Sequence, residues 1–250
     1  MISVYLECGP EEKDNLIAEL WERGTLGVIE LSSGVRAWFE NAAGLEDLLR
    51  RYDGDIAEEP EEDWEERTRR SFPPLAIGER FWLAPPWNAD PTPPGRMRLE
   101  INPGQVCGTG WHPCTQMCLE AMERHVRQGD AVLDVGAGSG IVGAAARLLG
   151  AGRVIACDID AEAAAAAREL AGGNVFIGSA DAVGAGVFDV VVANISAAVI
   201  ARLMPELRRA AVREGLLILS GFREAPEFER AIEENERDGW RCVVTRRAGD

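Results

Sequence analysis

No stretch of this chain is apolar for long enough to cross a bilayer, which takes about 20 consecutive apolar residues. Its first residues, MISVYLECGPEEKDN, lack the basic and apolar regions of a secretory signal. The cysteines, Cys8, Cys107, Cys114, Cys118, Cys157 and Cys242, form no C-x-x-C pair, and Cys114 and Cys118 have no second ligand pair to accompany them. Neither a zinc site nor a disulfide framework is expected, and reduced thiols in the cytoplasm are. Positive charge is also scarce. With 26 Lys and Arg against 42 Asp and Glu, the formal charge of −16 argues against direct nucleic-acid binding, which needs a basic face. Such a surface suits a basic partner. Internal repeats are absent as well.

What is present divides into three sections, expected at residues 1–57, 58–100 and 101–250. In the first, ISVYLEC reads as a strand, and PEEKDNLIAELWERG as an amphipathic helix with Leu16, Leu20 and Trp21 on one side. TLGVIELSSGVRAWFE reads as two strands, GLEDLLRRY as a helix and DGDIAEE as a last strand. That β-α-β-β-α-β order predicts a small α+β ferredoxin-like domain. The second section opens with the charged, helix-like EEPEEDWEERTRR and continues with a stretch rich in proline and tryptophan. Trp64, Phe72, Phe81, Trp82 and Trp87 are too apolar for a free linker, so a connector packed on its neighbours is expected. The third section is α/β. Short apolar strands at AVLDV, RVIACD, NVFIG, FDVVVAN and GLLILSG alternate with helices, as in a parallel sheet covered on both faces. APEFERAIEENERDG reads as the last helix and WRCVVTRR as the final strand.

The chemistry gathers in the third section. In VLDVGAGSGIVGAA a strand carrying Asp134 runs into Gly136, Gly138 and Gly140 before a helix opens. Glycines there allow positive φ and let a ligand touch the backbone beside free helix N–H groups. The spacing is G-x-G-x-G, with Ile141 where a dinucleotide fold wants its third glycine, and no phosphate-binding lysine follows. A ligand without a pyrophosphate is therefore expected, which disfavours a nicotinamide enzyme. The next strand ends in Asp158, where a carboxylate can accept both hydroxyls of a ribose. Upstream, CGTGWHPCT spans Cys107 to Thr115 with neither strand alternation nor helical periodicity. Asp181, after FIGSA, is a candidate ligand contact or an ordinary loop aspartate.

This arrangement resembles the class I S-adenosylmethionine-dependent methyltransferases, with their Rossmann-like sheet. DVGAGSG matches their glycine motif and Asp158 their ribose acid. Many amino-methylating relatives end the fourth strand in Asn/Asp-Pro-Pro-Tyr, but this chain has VVVANISA. That ending, with GTG.HP.T before it and DWEERTRRSFPPLAIGERFWLAPPW as connector, resembles the ribosomal protein L11 methyltransferase (PrmA) family. The resemblance implies a loop at Cys107–Thr115 that closes over the methionine end of the cofactor. It implies cofactor contacts at Thr109, Thr115, Asp134, Gly136, Gly138 and Asp158, with Asn194 at both the cofactor and the transfer site. His112 is a pocket-shaping residue or the turn at a helix start, where Pro113 is welcome. Cys107 and Cys114 depart from the family's Phe and Thr but keep the site small and uncharged.

The implied function is methyl transfer from S-adenosyl-L-methionine, leaving S-adenosyl-L-homocysteine, to lysine or N-terminal amines of a basic large-subunit ribosomal protein. The small domain would recognise that protein. The competing readings are methylation of another protein lysine or small amine, and a silent binding protein that has kept the fold. No residue is an obvious general base. The family also adds an antiparallel strand after a turn, typically with a Trp. Only Ala248–Asp250 follow the last strand read here, so the sheet is expected to lack one strand or the sequence to stop short.

Overall fold

The computed structural model describes residues 1–9, 11–31, 33–58, 69–103, 108–172, 174–224, 228 and 230–247. Of the charged, helix-like stretch expected over 58–70, residues 59–68 with Trp64 lie outside the described residues, as does the loop position Cys107, and Glu58 ends a strand. The chain forms two compact units, Met1–Arg70 and Ser71–Asp250. Among the described residues no helix is long and apolar enough to cross a membrane.

In the first unit the elements are β1 (Ile2–Glu7), α1 (Lys13–Glu22), β2 (Gly27–Leu31), β3 (Gly34–Phe39), α2 (Glu46–Arg51) and β4 (Asp55–Glu58). Their strands form one antiparallel sheet in the order β2-β3-β1-β4, the ferredoxin-like arrangement. Strand alternation sends Val4 and Leu6 of β1 and Val35, Ala37 and Phe39 of β3 to one face. There they pack with Leu16, Leu20, Leu45 and Leu48 in a common core. Trp21 is not part of it. One step beyond Leu20 turns it about 100° from the buried stripe, and it is 56% exposed.

The second unit begins with a small sheet, β5 (Leu75–Ile77), β6 (Phe81–Ala84) and β7 (Met97–Glu100), in the stretch read from sequence as connector. Its Phe81, Leu83 and Leu99 share a core with α3 (Pro113–His125) and α4 (Ile141–Leu148). The main sheet comprises β8 (Ala131–Val135), β9 (Arg153–Asp158), β10 (Val175–Ile177), β11 (Phe188–Asn194), β12 (Ala211–Phe222), β13 (Ala231–Arg237) and β14 (Trp240–Arg246). Two further helices, α5 (Ala161–Ala171) and α6 (Ala197–Ala210), complete the unit. The seven strands lie in the order β10-β9-β8-β11-β12-β14-β13. The first five are parallel, β14 runs antiparallel to β12, and β13 runs antiparallel to β14. Alternation again divides the layers: Val132, Val190 and Val192 join the α3–α4 core, Leu133, Val191 and Ala193 the core under α6. Strand order reverses between β8 and β11, and in such sheets ligands bind outside the strand C-termini at that point.

One expectation is corrected. Of the stretch read as the last helix, Ala231–Arg237 is strand β13, while 225–227 and 229 lie outside the described residues; β13 and β14 form an antiparallel hairpin where the sequence reading left the sheet a strand short. Asp238 (φ 54°) and Gly239 (φ 73°) form its turn, an Asp-Gly pair with both φ positive as tight hairpins prefer. The strand alternates with period two, Ile232, Glu234 and Glu236 being exposed and Glu233, Asn235 and Arg237 half-buried. Charge on such an edge discourages pairing with another chain.

Candidate functional site

At the C-terminal end of β8 the backbone turns through Gly136 (φ 76°), Gly138 (φ 52°) and Gly140 (φ 83°). A Cβ on Gly136 would lie 2.4 Å from Ile195 Cγ2, and one on Gly140 2.7 Å from Ala167 Cα, so side chains are excluded by space as well as by φ. Gly136 N–H and Ala137 N–H donate to Cys157 O at 2.9 and 3.1 Å, fastening the turn to the end of β9. Asp158 follows. Its Oδ2 accepts from Gly138 N–H at 2.9 Å and its Oδ1 from Asp160 N–H at 3.0 Å. A carboxylate has about four acceptor positions, so acceptor capacity remains on both oxygens. Asp160 serves the helix instead. Its side chain caps α5 by accepting from Glu162 N–H at 2.9 Å.

Sequence reasoning missed the apolar surface beside Asp158. Ile159 is 79% exposed, and Ile177, the register partner of Asp158 on β10, is 62% exposed. The available signal was position. A large apolar residue directly after an acid at a strand's C-terminal end lies beyond both faces of the core. Asp134, by contrast, lies beneath the turn, 2% exposed, with Oδ2 accepting from Gly143 N–H at 3.2 Å. Burial pushes its carboxyl up to about 7, against the Gly143 bond and with a small push from the charge of Asp158.

The CGTGWHPCT stretch meets this turn. Ser139 Oγ–H donates to Gly108 O at 2.7 Å, tying the two loops together. Gly110 (φ 98°) fits because a Cβ would lie 2.7 Å from Leu83 Cδ2 and 2.8 Å from Ile141 Cδ1. Thr109 stands half-buried between these two glycines. His112 is the N-cap of α3: its backbone is extended, Nδ1 accepts from Cys114 N–H at 3.3 Å, and Pro113 occupies the first turn. That cap sets the helix phase and turns Thr115 inward, leaving it 1% exposed.

Thr115 Oγ1 accepts from Asn194 Nδ2–H at 3.1 Å, joining the start of α3 to the end of β11. Asn194 therefore does not cap the following helix, whose N-cap is Ser196. With Nδ2 engaged, Asn194 Oδ1 retains acceptor capacity. The hairpin holds α3 from the other side. The His112 ring meets Trp240 edge-on, centroids 4.8 Å apart, and the Arg223 guanidinium lies 4.8 Å from the Trp240 centroid. Arg237 donates to Gln116 at 2.9 Å and Glu120 at 3.0 Å, while Glu233 pairs with Arg124 and His125. Among the described residues no group of His, Cys, Asp and Glu is placed to hold a metal ion.

This combination can hold a nucleoside by an acid and an apolar edge, and a small polar group against an asparagine that a threonine orients. Comparison with known proteins points the same way. A family model described as ribosomal protein L11 methyltransferase (PrmA) matches residues 11–250. The ribosomal protein L11 methyltransferase of Burkholderia ambifaria is 40% identical over 207 residues, covering 77% of this chain and 68% of that one. The Bordetella parapertussis protein of the same name is 39% identical over 223 residues, 81% of this chain and 72% of that one. A ribosomal protein L11 methylase structure from Lactobacillus delbrueckii subsp. bulgaricus superposes with TM-score 0.62 at 26% identity, covering 70% of this chain and 99% of that one. With the glycine turn, Asp158 and the Thr115–Asn194 pair at the switch point of the sheet, and with a match over nearly the whole chain, this protein belongs to the ribosomal protein L11 methyltransferase (PrmA) family.

Proposed function

We propose that this protein uses S-adenosylmethionine to methylate amines of ribosomal protein L11, at lysine side chains, the N-terminal α-amine or both. The observation that carries the reading is the Thr115–Asn194 hydrogen bond at the same sheet edge as Asp158 and the glycine turn. The residues suit the cofactor. Gly136 and Gly138 leave the backbone open to close approach, Asp158 keeps acceptor capacity for two ribose hydroxyls, and exposed Ile159 and Ile177 offer an apolar edge to a purine. Thr109 and Thr115 belong to the methionine end in this reading, and buried Asp134 supports the turn from below.

The cofactor supplies a methyl group already activated on a positively charged sulfur, so the protein need not generate the electrophile. What remains is to present a neutral amine. At neutral pH a lysine near pKa ~10.4 costs on the order of 4–5 kcal/mol to deprotonate, an α-amine near ~8 only about 1. Removal from water lowers either value. Asn194 Oδ1 accepts an N–H from the amine and aims its lone pair, while Thr115 fixes the amide so that the oxygen faces the amine. Aligning the partners and excluding water are the main contributions.

Residues 1–57 recognise the folded ribosomal protein in this reading. A basic substrate is complementary to the formal charge of −16, and the cytoplasm is the compartment it implies. The cofactor assignment is tested by thermal shift. S-adenosylmethionine and S-adenosylhomocysteine should raise the melting temperature and NAD should not. A shift with NAD alone would overturn it.

A further inference from the structure

Between β10 and β11 the chain makes a short 3-10 turn, Ala180–Ala182, closed by Ala182 N–H donating to Ser179 O at 3.1 Å. The carbonyls around this turn are gathered by one side chain at the far end of α6. Arg209 Nη2 donates to Ala180 O at 2.9 Å and Asp181 O at 3.2 Å, and Nη1 donates to Val183 O at 2.8 Å. Its Nε donates to Glu206 Oε2 at 2.7 Å, which fixes the plane of the guanidinium. Gly186 N–H to Arg209 O (2.8 Å) and Val187 N–H to Ala210 O (2.9 Å) dock the rest of the segment on the same helix end. On its other side the segment is anchored where Gly178 N–H donates to Asp158 O at 2.9 Å. The turn thus hangs between Asp158 and Arg209, with the Asp181 side chain exposed. A lysine has no planar fork of donors with which to span three carbonyls.

We propose that Arg209 is a positioning residue for base recognition: by holding the carbonyls of Ala180, Asp181 and Val183 it presents Asp181 to the exocyclic amine of the cofactor's adenine. This inference rests on the cofactor reading above. An ionised carboxylate accepts from a 6-amino group but faces a 6-oxo group acceptor to acceptor. Arg209 therefore sets the preference for a 6-aminopurine through the geometry of Asp181, without touching the cofactor.

The test compares binding of S-adenosylhomocysteine with its deaminated analogue, S-inosylhomocysteine, to the full chain by titration calorimetry. Wild type should prefer the amino form by roughly 10- to 100-fold, as for a hydrogen bond to a charged group. Asp181→Asn should collapse that ratio, because an amide can also donate to the 6-oxo group. Arg209→Met should bring the ratio to within about 3-fold, and Arg209→Lys to an intermediate value, while Asp158→Ala weakens both ligands alike. Melting is followed in parallel, and Arg209→Lys carries the test if Arg209→Met does not fold. A wild-type ratio in a destabilised Arg209 variant would make the residue a brace and overturn the proposal. An unchanged ratio in Asp181→Asn would overturn it too. Wild type binding neither ligand would instead bring down the cofactor reading and this inference with it.

Discussion

Thr115 and Asn194 lie 79 positions apart in sequence, yet the asparagine donates through Nδ2 to the threonine hydroxyl at 3.1 Å. In the reading proposed above, this bond orients the amide: nitrogen is held by Thr115 and oxygen is left for an incoming N–H. Thr115→Val keeps the shape and removes the acceptor. The expected result is a fall in kcat of about 10-fold or more, beyond a several-fold loss of cofactor affinity from the lost hydroxyl, with stability changing much less. Equal kcat in the variant would remove Thr115 from substrate alignment.

Asn194→Asp tests the same site electrically. A carboxylate there stabilises an ammonium over an amine and raises the amine's pKa. Activity at neutral pH should drop, and the rising limb of the rate–pH profile should move to higher pH. A lower rate with an unmoved profile would count against the proposed acceptor role.

Asp158 and Asp160 separate binding from folding. Asp158→Ala should weaken S-adenosylhomocysteine binding by about 10- to 150-fold, equivalent to roughly 1.5–3 kcal/mol. Asp160 caps α5, so Asp160→Ala should lower stability by about 1 kcal/mol and leave affinity within a few-fold. Calorimetric titration and denaturant unfolding distinguish the two, and equal affinity losses would mean that the ribose acid is misassigned.

Asp134 gives a pH signature of stability. Its carboxyl is pushed up to about 7 by burial from an ordinary 3.8, so between these values the folded state binds the extra proton. Stability linked to that proton is fully present below the unfolded pKa and is lost as pH rises through about 7. Asp134→Asn removes this dependence. Relative to wild type, the variant should gain on the order of 2–4 kcal/mol of stability from pH 4 to pH 8. Parallel stability–pH curves for the two proteins would contradict the assignment.

Trp240 joins His112 and Arg223 at the outer end of α3. Trp240→Ala should lower stability by roughly 1–3 kcal/mol and weaken cofactor binding by loosening the helix start that carries Thr115. Trp240→Phe should recover most of both. Unchanged binding in a destabilised Trp240→Ala would limit the hairpin to a role in stability.

The parallel strands are legible in the sequence because their apolar runs are buried on both faces, and the glycine turn because its φ values and close contacts admit little else. The hairpin is not. Strand β13 is an edge on which Glu234 and Glu236 face water while the inward positions are Glu233, Asn235 and Arg237, so no apolar alternation advertises it; Asp238-Gly239 is the local signal, and a helical reading of the stretch passes over it. Trp21 misleads in the opposite way, since an apolar side chain one step past the buried stripe looks like core without belonging to it. The meeting of Thr115 with Asn194 has no local signature. It is legible through resemblance alone, because sheet topology rather than periodicity brings α3 to the end of β11.

The most direct measurement is methyl transfer itself. Ribosomes and free ribosomal protein L11 from a methylation-deficient strain are incubated with the protein and S-adenosylmethionine labelled in its methyl group, and the labelled band is identified by mass. The account predicts label on ribosomal protein L11, at lysine or N-terminal amines, and its loss with Asn194→Asp. Label on a different protein, or none on L11 from a folded enzyme that binds the cofactor, would contradict it.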